Sequence, residues 1–127
     1  MPIRGIGVDI VHIPRIEAAL VRWGDHFRRK IFTEDELLNA GKRFREAAFL
    51  ALRFAAKEAF AKAVGTGMRS PLKWREIEIK SDALGRPQIC LSPDLEKWCK
   101  ENNIVRWHLS LSDADDYAIA FVILEGD

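Results

Sequence analysis

Cysteine is scarce in this chain: only Cys90 and Cys99 occur. Their spacing matches no paired metal-ligand pattern. With no secretory signal in view they read as reduced thiols of a cytosolic protein. Long apolar runs are missing as well. The longest, Ala118 to Leu124, is far too short to cross a bilayer. The opening MPIRGIGVDIV holds Arg4 and Asp9 inside its apolar stretch, which fits neither a signal nor a transit peptide. No sign of charge dominates. Twenty basic against 19 acidic side chains leave +1, so there is no global basic field for nucleic acid. No internal repeat or low-complexity tract interrupts the sequence. What remains is an ordinary folded composition, with 127 residues, 48% hydrophobic and 31% charged. A chain of this length buries roughly two-thirds of its unfolded surface and can build its own core. One domain over residues 1–127 is expected. Residues 1–60 hold 11 basic and 8 acidic side chains, and the remainder 9 and 11, so the first half leans toward an anionic partner.

Periodicity supplies the elements. Ile3 to Val11 alternates as a strand, with Ile6, Val8 and Ile10 on one face and Gly5, Gly7 and Asp9 on the other. Until Asp9 the second face has no side chains, so a ligand or another backbone can come close to it. A helix follows from about Ile13, with Pro14 in its first turn and an apolar stripe of Ile13, Ile16, Leu20 and Trp23. Gly24 ends it. Arg15 and Arg22 lie seven apart and share one face of it. Thr33 and Glu36 have the spacing of a capping box, with Phe32 and Leu37 as its hydrophobic staple. Asn39 to Arg45 reads as a polar, basic connection. The longest helix is expected from about Glu46 to Val64, stopped by Gly65-Thr66-Gly67. Two short strands, Arg75 to Lys80 and Gln88 to Leu91, flank the turn at residues 83–87. Ser92 and Pro93 start another helix, closed by Asn102-Asn103. Val105 to Leu111 is a half-buried strand, Ser112 to Asp116 a turn, and Tyr117 to Leu124 a strand apolar on both faces, hence central or at an interface. Helices and strands mix without a βαβ repeat. The expected class is α+β with a largely antiparallel sheet.

Several familiar sites fail for want of one residue. Gly5-Ile6-Gly7-Val8-Asp9 lacks the third glycine of a dinucleotide fingerprint, and its acidic residue comes too soon. It reads either as a plain strand with a solvated Asp9 or as a strand ending in a metal-binding carboxylate. Gly65-Thr66-Gly67 has no lysine-serine or lysine-threonine after it, so it is no P-loop. It is either a helix C-cap or a loop whose N–H groups meet phosphate. A helix C-terminus is the wrong dipole end for an anion, so phosphate there needs Lys62, Arg69 or Arg53. No nucleophile elbow accompanies His108, Ser110 and Asp113. Asp113 to Asp116 lacks the glycine and terminal glutamate of a calcium loop. In the long helix, Phe54, Glu58, Lys62 and Gly65 fall on one stripe. Glu58 and Lys62, one turn apart, form either a helix-stabilising ion pair or part of a site. In the second reading Glu58 and Asp9 are oxygen ligands to Mg²⁺, and Lys62 neutralises phosphate.

Taken in order, GIGVDIVHIPRIE at 5–17, FTEDEL at 32–37, RFAAKEAFAKAVGTG at 53–67, LGRP at 84–87 and WHLSLSDADDYAIAFVI at 107–123 resemble one family. It is the small bacterial holo-[acyl-carrier-protein] synthases, a type of 4′-phosphopantetheinyl transferase. The resemblance spans essentially the whole chain and implies the single-domain 4′-phosphopantetheinyl transferase fold. It implies that coenzyme A and Mg²⁺ bind, and that a serine of apo acyl carrier protein attacks the β-phosphate. The phosphopantetheine arm moves to that serine, and adenosine 3′,5′-bisphosphate leaves. Asp9 and Glu58 match the family's metal ligands. Lys62 matches a lysine on the phosphates, and His108 a histidine near the pyrophosphate. Arg53 with the backbone of Gly65, Thr66 and Gly67 matches the nucleotide-side contact. Either Glu58 or a metal-bound water would take the serine's proton. A homotrimer with active sites between protomers is implied, as is docking of the acidic carrier on Arg15 and Arg22. The chain departs from the family pattern at Asp25, where some members are basic, and at Asp113, where many carry a second histidine. Two other readings compete. One is a non-enzymatic coenzyme A or nucleotide-binding module of the same fold. The other is an interaction module for acidic proteins using Arg15, Arg22 and the Arg28-Arg29-Lys30 cluster.

Overall fold

The computed structural model describes residues 1–127. In chain order it contains β1 (Ile3–His12), α1 (Ile13–Trp23), α2 (Asp25–Ile31), α3 (Glu34–Ala40) and α4 (Glu46–Val64). A 3₁₀ turn at Trp74–Glu76 leads to β2 (Ile77–Ser81) and β3 (Pro87–Leu91), then α5 (Pro93–Glu101), β4 (Arg106–Ala114) and β5 (Tyr117–Glu125). The strands form two antiparallel sheets: a three-stranded one in the order β1-β5-β4, and the β2-β3 hairpin. The Trp107 indole N–H donates to the Ile89 carbonyl and ties one sheet to the other. The fold is α+β, as the sequence implies.

α4 is the axis of the molecule. Alanine dominates it, so it has high helix propensity and little girth. Leu50, Ala51, Ala55, Ala56, Ala59 and Phe60 are fully buried. A helix apolar around most of its circumference belongs in the interior. The glycine face of β1 lies directly on it. A Cβ added at Gly7 would sit 1.9 Å from the Ala59 carbonyl oxygen, and one at Gly5 would sit 2.0 Å from that of Ala63. Of the two approaches expected there, ligand or backbone, the glycines serve the backbone. β5 supplies the same face with Ala118, Ala120, Val122 and Leu124, all fully buried. The other face is bare. Ile6, Val8 and Ile10 are 59%, 57% and 61% exposed, and across the ladder they align with Ile123, Phe121 and Ile119.

The capping box at Thr33 forms in full: Thr33 Oγ1 accepts from the Glu36 N–H, and Glu36 Oε1 accepts from the Thr33 N–H. α4 keeps the expected bounds, and Gly65 caps it in the left-handed region at φ 96°. Ser92 caps α5. Three expectations are corrected and one element is added. Trp23 is 53% exposed, outside the stripe that buries Ile13 and Ile16. The stretch after Gly24, which no periodicity marks, is a seven-residue helix, α2. Within it Arg28 makes a two-point ion pair with Glu46 at the start of α4, and Arg29 pairs with Glu34. The strand expected to end at Leu111 continues to Ala114, and the turn shrinks to Asp115-Asp116, with Asp115 at φ 54°. Short polar side chains tolerate that left-handed conformation.

Candidate active site

Asp9 lies on the α4 side of the sheet, in register with Ala120, whose small side chain leaves it room. Lys62, in the last turn of α4, donates to Asp9 Oδ1 at 2.9 Å and to the Val8 carbonyl at 3.1 Å. The ion pair expected between Glu58 and Lys62 is therefore not the one made. Lys62 crosses to the strand, and Glu58 faces the same place without it. Partial burial first, and the Asp9 carboxylate second, push the Glu58 carboxyl above the ordinary glutamate range, with Lys62 pulling the other way. Two carboxylates that repel across one opening are a natural cation seat. No group of three or more His, Cys, Asp or Glu side chains surrounds it. The donor set fits Mg²⁺, which takes one or two carboxylates and fills its shell from water and substrate phosphate.

The carboxylates open into a cleft of roughly 380 Å³ between β1, α1, α2 and α4. His12, Arg15, Ile16, Phe27 and Phe54 line it with Asp9 and Glu58. Arg15 thus stands at the cleft. Arg22, two turns on, stacks its guanidinium 4.9 Å from the Trp23 ring on the outer surface, beside an exposed Val21. The Phe54 position was legible as part of the Glu58 stripe. Phe27 was missed, because its helix was missed.

The remaining expected residues lie apart. His108 is on β4, in register with Ile123 and so with Ile6, on the opposite face of the sheet from Asp9. There its Nε2 meets Glu125 Oε1 at 2.6 Å. It lines a separate hollow with Arg86, Cys90 and Trp107. Arg53 is on another flank of α4. Its guanidinium lies 3.8 Å from the Phe49 ring centroid, its Nη2 reaches Ser81 Oγ at 3.4 Å, and its buried Nε has no partner. Burial holds its pKa below the ordinary arginine range, and neighbouring Arg43 adds to the effect. One chain therefore brings together Asp9, Glu58, Lys62 and Arg15, but not His108 or Arg53. The Gly65-Thr66-Gly67 loop is a C-cap. The N–H groups of Gly65 and Gly67 both go to the Ala61 carbonyl, at 3.0 and 3.4 Å.

A thin alanine helix thus lies on a glycine strand, with paired carboxylates where the two meet. Residues 5–122 match the model of the 4′-phosphopantetheinyl transferase superfamily, and the chain belongs to that superfamily. A holo-[acyl-carrier-protein] synthase of Neisseria meningitidis serogroup A is 46% identical over 123 residues, covering 97% of this chain and 98% of the relative. A solved holo-[acyl-carrier-protein] synthase from Neisseria meningitidis superposes with a TM-score of 0.93 at 47% identity, over 98% of this chain and 99% of that one. The Bacillus anthracis holo-(acyl-carrier-protein) synthase, solved in complex with CoA (3′,5′-ADP), gives 0.80 at 39% identity, over 98% of each chain. Within the superfamily, the chain is a transferase of the holo-[acyl-carrier-protein] synthase group.

Proposed function

We propose that the chain moves the 4′-phosphopantetheine arm of coenzyme A onto a serine of apo acyl carrier protein, with Mg²⁺, and releases adenosine 3′,5′-bisphosphate. The observation that carries this reading is the convergence of Asp9, Glu58 and Lys62 at one end of the cleft. In the reaction the serine oxygen bonds to the β-phosphorus of the pyrophosphate. The bond from that phosphorus to the bridging oxygen breaks, and the bisphosphate takes the electron pair. Asp9 and Glu58 would hold Mg²⁺, which supplies charge neutralisation for the pyrophosphate and its transition state. Lys62 is half-exposed on a flexible stem, so it can leave Asp9 and offer its ammonium to a phosphate. Either Glu58, which lines the cleft, or a water beside it would take the serine proton.

The nucleotide side needs a second copy. His108 and the bare apolar face of Ile6, Val8 and Ile10 share one side of the sheet. A homotrimer with active sites between protomers would bury that face and let one protomer's His108 serve a neighbour's site. Arg53, with its unpartnered buried Nε, and Thr66, whose hydroxyl now donates to the Gly67 carbonyl, would offer further phosphate contacts. Arg15 at the cleft and Arg22 beyond it form the basic track for an acidic carrier. The test is the mass of an apo acyl carrier protein incubated with this protein, coenzyme A and Mg²⁺, beside an EDTA control. A gain of one phosphopantetheine arm, absent with EDTA, supports the reading. Coenzyme A binding with no gain on several carriers would leave a non-enzymatic binding module.

A further inference from the structure

The helix that carries Glu58 also carries a buried cation that the proposed chemistry does not use. Lys57 is fully buried. Its ammonium has three N–H donors, and each finds an oxygen: the Ile31 carbonyl at 2.8 Å, Glu36 Oε1 at 2.7 Å and the Trp74 carbonyl at 3.0 Å. Glu36 is equally saturated. It accepts from the Thr33 N–H and the Ile79 N–H besides Lys57. Burial pulls the lysine's pKa below its ordinary value, and Glu36 opposes the fall. A fully satisfied buried pair fixes geometry more surely than it adds stability.

Two aromatic relays run from this ammonium to the cleft. Lys57 Nζ lies 5.5 Å from the Phe32 ring centroid, and Phe32 meets Phe27 edge-on at 6.1 Å. Lys57 also holds the backbone of Trp74, whose indole stacks on Phe54 at 5.2 Å with 22° between the planes. Phe27 and Phe54 are the aromatic walls of the cleft that contains Asp9 and Glu58. The Ile31 carbonyl closes the first relay, since Phe27 sits one turn before Ile31 on α2.

We infer that Lys57 is a positioning residue: it sets Phe27 and Phe54, and through them the approach of the carrier's serine to the carboxylates. The inference rests on the function proposed above. A displacement of about 1 Å at a reacting centre can cost on the order of 10²-fold in rate. The effect is assigned to the carrier side because Arg15 shares these walls, while Lys62 reaches only the Asp9 end of the cleft and His108 lies on the opposite face of the sheet.

The experiment compares Lys57→Met, Trp74→Ala and the double variant with the unaltered protein. Carrier-dependent kcat and KM, coenzyme A affinity by calorimetry, and the ring-proton shifts of Phe27 and Phe54 are measured on each. Lys57→Met should lower kcat/KM for the carrier by about tenfold or more. Its coenzyme A affinity should stay within about twofold, and the ring shifts should move. Trp74→Ala leaves the buried pair intact and should reproduce much of the loss. The double variant should be no worse than the poorer single one, because both act through one relay. A folded Lys57→Met with unchanged carrier kinetics and unmoved rings would overturn the inference, as would losses that multiply or a parallel fall in coenzyme A affinity. Should Lys57→Met not fold, Trp74→Ala with normal carrier kinetics overturns it alone. An unaltered protein that transfers nothing would defeat the proposed function instead, and the ring shifts would still decide the role of Lys57.

Discussion

Two lysines five residues apart on α4 have opposite fates. Lys57 is sealed, with every donor matched and its carboxylate partner equally matched. Lys62 has a side chain 52% exposed and a single carboxylate partner, Asp9, while Glu58 beside it has no cation of its own. The same helix thus holds a closed ionic network on one flank and an open one on the other. A closed network defines shape, and an open one has coordination left to give. Arginines divide in the same way. Arg28 is locked to Glu46 by two hydrogen bonds, while Arg22 faces outward over Trp23. A basic cluster in the sequence is therefore not one surface: of residues 28–30, Arg28 is held in a part-buried pair, while Arg29 stays exposed beside Glu34.

The contrast can be broken from either flank. The largest effect is expected from Asp9→Asn, which should lower transfer by about 10²-fold or more, the scale of removing one transition-state electrostatic contact. Its thermal unfolding should barely change, because an exposed ion pair contributes well under about 1 kcal/mol. Lys57→Ala should cost stability as well as carrier turnover. Stripping one partner from a buried pair costs about 3–5 kcal/mol, to be read in urea denaturation. Arg22→Glu should raise the carrier's KM by about tenfold with little change in stability, checked by varying carrier at saturating coenzyme A; interface charges of this kind act chiefly on encounter. The smallest effect lies on the far face. The hydrogen bond from His108 holds the Glu125 carboxyl below the ordinary glutamate range. A lowered native value means that this contact stabilises above the unfolded value and is lost as pH falls through the native one. In an NMR titration the Glu125 carboxyl midpoint should lie below that of free glutamate and rise in His108→Ala.

The sequence was most legible where local rules governed. The capping box at Thr33, the bounds of α4, its Gly65 cap and the Ser92 cap all follow from a few neighbouring residues. The central place of β5 followed from apolarity on both its faces. α2 was illegible because it is short, begins without a side-chain cap and carries three successive basic residues. The Lys57–Glu36 pair joins positions 21 apart, and no periodicity announces such a contact. Glu58 and Lys62 were read together because they are one turn apart. The actual partner of Lys62 comes from a strand 53 residues away. The sidedness of His108 was implicit in strand alternation, but its distance from the carboxylates needed the sheet register to appear.

The central claim is that the open flank of α4 carries the chemistry. Glu58→Gln tests it most directly, since it keeps shape and removes charge. Carrier mass gain and unfolding free energy would be measured on one preparation with coenzyme A and Mg²⁺. The account predicts that transfer collapses while stability stays within about 1 kcal/mol of the unaltered protein. Normal transfer by that variant would contradict it.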